Sequence, residues 1–127
     1  MNVVDSSGWL EYVADGPNAD FFAPVIRDID QVLVPAVVIT EVARRVWQQR
    51  GEEFALEVIS LVQRGQVAPL DEKIAWLAAE IGITHRLPLA DSIIYATAQA
   101  HGATVWTQDA DFDGLPGVEF RRKPSGA

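Results

Sequence analysis

Residues 87–109 read Leu-Pro-Leu-Ala-Asp-Ser-Ile-Ile-Tyr-Ala-Thr-Ala-Gln-Ala-His-Gly-Ala-Thr-Val-Trp-Thr-Gln-Asp, and the fold follows from this stretch. Pro88 falls near the first turn of a helical pattern and Gly102 just past its end, which is how helices start and stop. Between them Leu87 to Ala100 is apolar on nearly every side, as a helix buried at the centre of a domain should be. Ala103 to Thr107 then reads as the clearest strand of the chain.

Outward from this unit the same alternation repeats. Asn2 to Asp5 is a short apolar run, and Ser6 or Ser7 offers an N-cap for a helix through Trp9, Leu10, Tyr12 and Val13. Asp15-Gly16-Pro17 breaks it. A helix over Asn18 to Ile29 carries Phe21, Phe22, Val25, Ile26 and Ile29 on one face. Gln31 to Val34 reads as a strand stopped by Pro35. A long helix follows to about Arg50, with Val38, Ile39, Val42, Ala43, Val46 and Trp47 as its stripe. Further helices fit Glu52 to Gln63 and Asp71 to Ile81, with short strands at Gln66 to Pro69 and Val118 to Arg121. Strands alternating with helices imply a parallel sheet covered on both faces. The fold class is α/β, in one domain over residues 1–122 with a frayed tail at 123–127.

The 127 residues suffice for one core and hardly for two. With 49% hydrophobic residues and 7 prolines, the chain is not of disordered composition. Its longest apolar runs, such as Ile93 to Ala98, fall far short of the roughly 20 residues that span a bilayer, so no membrane partner is expected. Met-Asn-Val-Val-Asp has neither a basic n-region nor an apolar h-region, so a cytoplasmic location is expected. The absence of cysteine removes disulfides, zinc–thiolate sites and thiol nucleophiles. His85 and His101 are 16 residues apart and fit no metal-ligand spacing. Any metal should therefore be a hard one held by oxygen.

In an open parallel sheet, ligands gather beyond the carboxyl ends of the strands, near a switch in strand order. Asp5 and Asp109 lie at such ends, and Glu41 and Asp91 sit on apolar helices. Each has an ordinary alternative. Asp5 can cap the following helix, Glu41 can pair with Arg45 four residues on, and Asp91 can complement a helix dipole. Asp109, with Asp111 and Asp113, can form a solvated turn. The functional reading rests on the four together.

The chain resembles a PIN-domain ribonuclease, closest in style to the VapC toxins of bacterial type II toxin–antitoxin pairs. The stretches that carry the resemblance are Val3-Val4-Asp5-Ser6-Ser7, Ile39-Thr40-Glu41-Val42, Leu87 to Ala98, and Val105-Trp106-Thr107-Gln108-Asp109-Ala110-Asp111-Phe112. The four acids follow one another at intervals of 36, 50 and 18 residues. The resemblance implies a three-layer α/β/α sandwich around a mainly parallel sheet of four to five short strands. It also implies a metal-dependent endoribonuclease toxin that hydrolyses RNA phosphodiester bonds with activated water. Asp5, Glu41, Asp91 and Asp109 would be its catalytic set. The implied partners are an RNA substrate, a cognate antitoxin and a second copy of the chain in a homodimer.

Elementary electrostatics makes such a set intelligible. Two carboxylates about 5 Å apart repel by roughly 3 kcal/mol at an effective dielectric of 20, so a cluster of four is strained until a cation enters it. All-oxygen donors select Mg²⁺, with Mn²⁺ as a substitute. Such an ion can acidify water, orient it in line with a phosphodiester and stabilise the leaving oxygen. Asp5, Asp91 and Asp109 are the expected ligands. Glu41 acts through water or on a second ion, and Asp111 competes with Asp109 for the direct role. Ser6, Ser7 and Thr107 are placed to hydrogen-bond carboxylates, or simply to cap. Removing the four acids leaves 14 acids against 10 bases, and eight of those bases are arginine. Arg44, Arg45 and Arg86 are the expected RNA contacts, with an ordinary solvated surface as the alternative.

Two other readings compete. Asp109-Ala-Asp111-Phe-Asp113-Gly114 opens like an EF-hand loop, but the required last acid falls on Phe120 and Pro116 interrupts it. A receiver-like signalling domain would want paired acids after the first strand, where only Asp5 stands. A PIN-like module used only for binding would differ in activity and not in fold.

Overall fold

The computed structural model describes residues 1–125; of the tail expected to fray, 126 and 127 lie outside the described residues. Among the described residues five short strands and six helices follow one another, with a pair of helices after each of the first three strands. They are β1 (Asn2–Val4), α1 (Ser6–Val13), α2 (Ala19–Arg27), β2 (Leu33–Pro35), α3 (Ala36–Arg50), α4 (Glu52–Val62), β3 (Gln66–Ala68), α5 (Glu72–His85), α6 (Leu89–Ala100), β4 (Thr104–Thr107) and β5 (Val118–Phe120). Single 3-10 turns occupy Ile29–Gln31 and Ala110–Phe112.

All strand pairs are parallel. β4 lies between β1 and β5, with Val4 opposite Trp106 and Val105 opposite Val118. β2 pairs with β3, and a single bridge from Asn2 to Val32 joins the two ladders. The expectation of one sheet of four to five strands is corrected to ladders of three and two strands meeting at that bridge. β1 and β2 are three residues long each and lie side by side, but only the one backbone bridge forms between these two edges. The spatial order is β3-β2-β1-β4-β5, which reverses direction between β1 and β4. A receiver-like domain would have β1 between β2 and β3, and that alternative is set aside.

Helices cover both faces, giving the α/β/α sandwich. α6 packs on β2 and β4 with α5 against it, while α2 packs on β1 and α3 pairs with α4. Val3, Val4, Leu33, Val34, Val105, Val38, Val42 and Ile94 are fully buried or nearly so. α6 is the buried helix that its composition predicts, hiding Ser92, Ile94, Tyr95, Ala96, Thr97 and Ala98. Its polar members are satisfied locally: Ser92 Oγ donates to the Pro88 carbonyl and Thr97 Oγ1 to that of Ile93. Gly102, at φ 63°, makes the left-handed turn from α6 into β4 that a side chain would strain.

Three local readings change. The N-cap of α1 is Asp5, whose carboxylate accepts from the Gly8 amide at 2.9 Å; Ser6 and Ser7 lie inside the first turn. α5 runs four residues past Ile81, to His85. Trp47, placed in the apolar stripe of α3 by helical spacing, is 52% exposed, and Trp76 on α5 is 77% exposed. Spacing assigns a residue to a stripe, but only packing decides how far the stripe is covered. No helix among the described residues is long and apolar enough to cross a membrane.

Candidate metal and catalytic site

Because β1 and β4 are parallel neighbours on either side of the order reversal, their carboxyl ends open into one crevice. The Asp5 amide continues the β1–β4 ladder by donating to the Trp106 carbonyl at 3.2 Å, which fixes Asp5 at the strand end. A cavity of about 530 Å³ opens there, and Asp5, Glu41, Asp91 and Asp109 all line it. Residues from β1, α3, α6 and the turn after β4 thus converge, although their order in sequence spreads them over most of the chain.

Asp5 is the most constrained of them. It is buried, and beyond the Gly8 amide it accepts from Ser7 Oγ at 2.8 Å and from Thr107 Oγ1 at 2.6 Å. Thr107 Oγ1 in turn accepts from the Asp109 amide at 2.9 Å, so one hydroxyl couples the two strand-end acids. Burial pushes the Asp5 carboxyl up to about 6, against the pull of those hydrogen bonds. Its capping role and its place on the cavity are compatible, because the cap uses Oδ1 while Thr107 holds Oδ2. Ser6 Oγ donates to Glu41 Oε1 at 2.6 Å, which ties α3 to the start of α1.

Asp91 stands in the first turn of α6. Burial first, then the charges of Asp109, Asp5 and Asp111, push its carboxyl up to about 8. Among the described residues, Asp91, Asp109 and Asp111 each offer a carboxylate oxygen within 4.8 Å of the others. Asp111 therefore joins the close cluster rather than merely competing with Asp109, whose Oδ1 accepts its amide at 2.9 Å. Asp5 lies on the same cavity but outside that closest triad. All these donors are oxygen, and the two raised carboxyls mark a place with more negative charge than burial tolerates. Such a donor set fits a hard divalent cation.

Of the three arginines expected to touch RNA, Arg45 lines the cavity, and Arg44 and Arg86 do not. Arg44 points to solvent from α3, and Arg86 is the exposed left-handed residue that ends α5, with φ 55°. Arg50, Lys123 and Phe54 line the cavity instead, with the Arg50 guanidinium 4.4 Å from the centre of the Phe54 ring. Sequence reasoning missed Glu11, Asn18 and Gln108. Glu11 and Gln108 line the cavity, and Asn18 donates to the Gln108 side chain. No local pattern marks them, since their partners are up to 104 residues away.

A family model described as PIN domain matches residues 3–118. Ribonuclease VapC4 of Mycobacterium tuberculosis is 37% identical over 94 residues, covering 68% of this chain and 72% of that protein. A toxin–antitoxin complex from Klebsiella pneumoniae contains a chain with TM-score 0.78 and 22% identity, covering 94% of this chain and 96% of that one. Mycobacterium tuberculosis VapC20, described as a sarcin–ricin loop cleaving toxin, superposes with TM-score 0.78 at 16% identity over 94% of this chain and 98% of that one. At these identities the two structures speak to the fold alone. The matched residues take in the strand-end acids, the α3 glutamate and the first turn of α6, and the chain belongs to the PIN domain family.

Proposed function

We propose that this protein is a metal-dependent endoribonuclease, the toxin of a type II toxin–antitoxin pair. The observation that carries the reading is the convergence of Asp5, Glu41, Asp91 and Asp109 on one cavity, in a chain 37% identical to a protein named as a VapC ribonuclease. Asp91, Asp109 and Asp111 would hold the ion, with Asp5 and Glu41 completing the negative wall. When bound, Mg²⁺ or Mn²⁺ supplies Lewis acidity and neutralises charge on the phosphodiester.

The chain's own residues do the rest. Thr107 and Ser7 hold Asp5 at fixed orientation, and Ser6 holds Glu41. Arg45, Arg50 and Lys123 add cationic groups to the lining of the cavity, where the RNA backbone can lie. His101 is occupied with the Thr97 carbonyl and lies off the cavity, so proton transfer falls to the carboxylates and water. The cognate antitoxin and a homodimer belong to the same reading. Trp76, Ile83 and Leu89, each more than three-quarters exposed, supply apolar area for protein contacts.

Purified protein with Mn²⁺ should cut structured RNA, and Asp91→Asn should abolish the cutting. Induced expression should arrest growth, and the arrest should vanish with the same substitution. Cleavage that survives both Asp91→Asn and EDTA would refute the assignment. A chain that binds RNA and Mn²⁺ but never cuts would instead be a binding module.

A further inference from the structure

Among the described residues few polar side chains are buried, and two of them, Asn18 at 4% exposure and Gln108 at 7%, meet beside the acids. Asn18 precedes α2, yet its side chain does not cap the helix. Its Nδ2 donates to Gln108 Oε1 at 3.0 Å and to the Arg122 backbone carbonyl at 3.1 Å. Gln108 Nε2 in turn donates to the Ser7 backbone carbonyl at 3.4 Å.

A backbone carbonyl accepts and cannot donate. The Arg122 carbonyl therefore fixes the amino end of Asn18, which fixes the oxygen end of Gln108. The Ser7 carbonyl fixes the amino end of Gln108 independently. Turning over either amide would set acceptor against acceptor. The orientation is thus enforced from both sides, in a buried setting where unpaired groups are costly. Among the described residues, Gln108 Nε2 has only the Ser7 carbonyl as acceptor, which leaves its second N–H unused. Gln108 lines the cavity and sits in sequence between Thr107, which holds Asp5, and Asp109. Everything acidic at this end of the cavity repels a phosphodiester, and a neutral donor held rigidly there does not.

We propose that Gln108 presents its second N–H to a phosphodiester oxygen of RNA bound in the cavity, and that Asn18 is the positioning residue that keeps this donor facing the ligand. The inference rests on the ribonuclease reading above. It adds a substrate contact between the acids and a buried residue acting through it.

The test uses a fluorescein-labelled structured RNA, a stem-loop with a mixed-sequence loop, with binding followed by anisotropy in Ca²⁺ and cleavage followed in Mn²⁺. Gln108→Met keeps the length of the side chain and removes the donor. It should weaken binding and raise KM about tenfold or more, the range for a hydrogen bond to a charged group, while Mn²⁺ affinity by calorimetry stays unchanged. Gln108→Glu retains an acceptor for Asn18 and should show the same loss, even if the methionine variant folds poorly. Asn18→Leu should raise KM in the wild-type background and add nothing in the Gln108→Met background, because Asn18 acts through Gln108. Losses that multiply in the double variant would refute the positioning role. Wild-type protein that cuts RNA while both Gln108 variants bind it normally overturns this inference alone. A wild type that neither binds nor cuts RNA overturns the proposed function, and this contact with it.

Discussion

Replacing Asp91 by asparagine should make the metal-free protein more stable while destroying its response to metal. Burial and the neighbouring acids hold the Asp91 carboxyl at about 8, against an ordinary value of 3.8. At about 1.4 kcal/mol per pH unit, that rise sets a ceiling of about 6 kcal/mol on what ionising Asp91 costs the folded chain. Asp91 is only half-buried, and solvent screening reduces the worth of such a charge severalfold. We therefore expect about 1–2 kcal/mol, which for a domain of this size is roughly 4–8 °C in melting temperature. The favourable effect of an acid in the first turn of α6, about 0.3–1 kcal/mol, is lost on substitution but is smaller.

The sign follows from linkage. Below the unfolded value near 3.8, both folded and unfolded states carry the proton and Asp91 contributes nothing. As pH rises toward 8, the unfolded state ionises freely while the folded state resists, so stability drains from the wild type and not from the variant. Melting curves in EDTA should therefore coincide near pH 4 and separate toward pH 8, the variant melting higher. A cation that binds only the folded, ionised site reverses the order for wild type, by about 2.7 kcal/mol at a hundred times its dissociation constant. The variant should show little of that gain. The reasoning is refuted if Asp91→Asn melts below wild type in EDTA at pH 8, or if Mn²⁺ raises both melting temperatures equally.

Thr107→Val removes both the donor to Asp5 and the acceptor for the Asp109 amide. It should cost about 1–3 kcal/mol in chemical denaturation and depress RNA cleavage more than RNA binding. In wild-type protein without metal, Asp5 adds its own loss of stability between pH 3.8 and about 6, so the denaturation midpoint should fall across that window and recover with Mn²⁺. Gly8→Ala would place a methyl group 2.6 Å from both Phe22 Cε1 and Val4 Cγ1. Overpacking of that kind costs about 1–3 kcal/mol, and a variant that melts within a degree of wild type would contradict the packing described. Trp76→Ala, on a side chain 77% exposed, should change monomer stability by less than about 0.5 kcal/mol. A large loss there, measured at a concentration where the chain is monomeric, would mean that Trp76 is part of the core.

Helix and strand order, the buried character of α6 and the acids at the ends of β1 and β4 were all legible in the residues. They depend on neighbours a few positions apart: helical stripes, a proline and a glycine bracketing α6, and turns that stop a strand. The acids Asp5, Glu41, Asp91 and Asp109 were legible as candidates for the same reason, each standing at a recognisable place in its own element. Their convergence was settled only when β1 paired with β4 across about a hundred residues, which set the strand-order reversal beside Asp5. Asp5 rather than a serine caps α1 through a local bond from the Gly8 amide, and the packing of α6 on β4 brings Asp111 within reach of Asp91. Arg44 and Arg45 are adjacent in sequence, yet only Arg45 faces the cavity, because one step along a helix turns a side chain by about 100°. No pattern marked Asn18 and Gln108 as partners, since a buried hydrogen-bond pair has no periodicity and is defined by which distant segments meet. Local sequence thus determined the elements and the chemistry they carry, whereas long-range strand pairing decided which of those groups share one pocket.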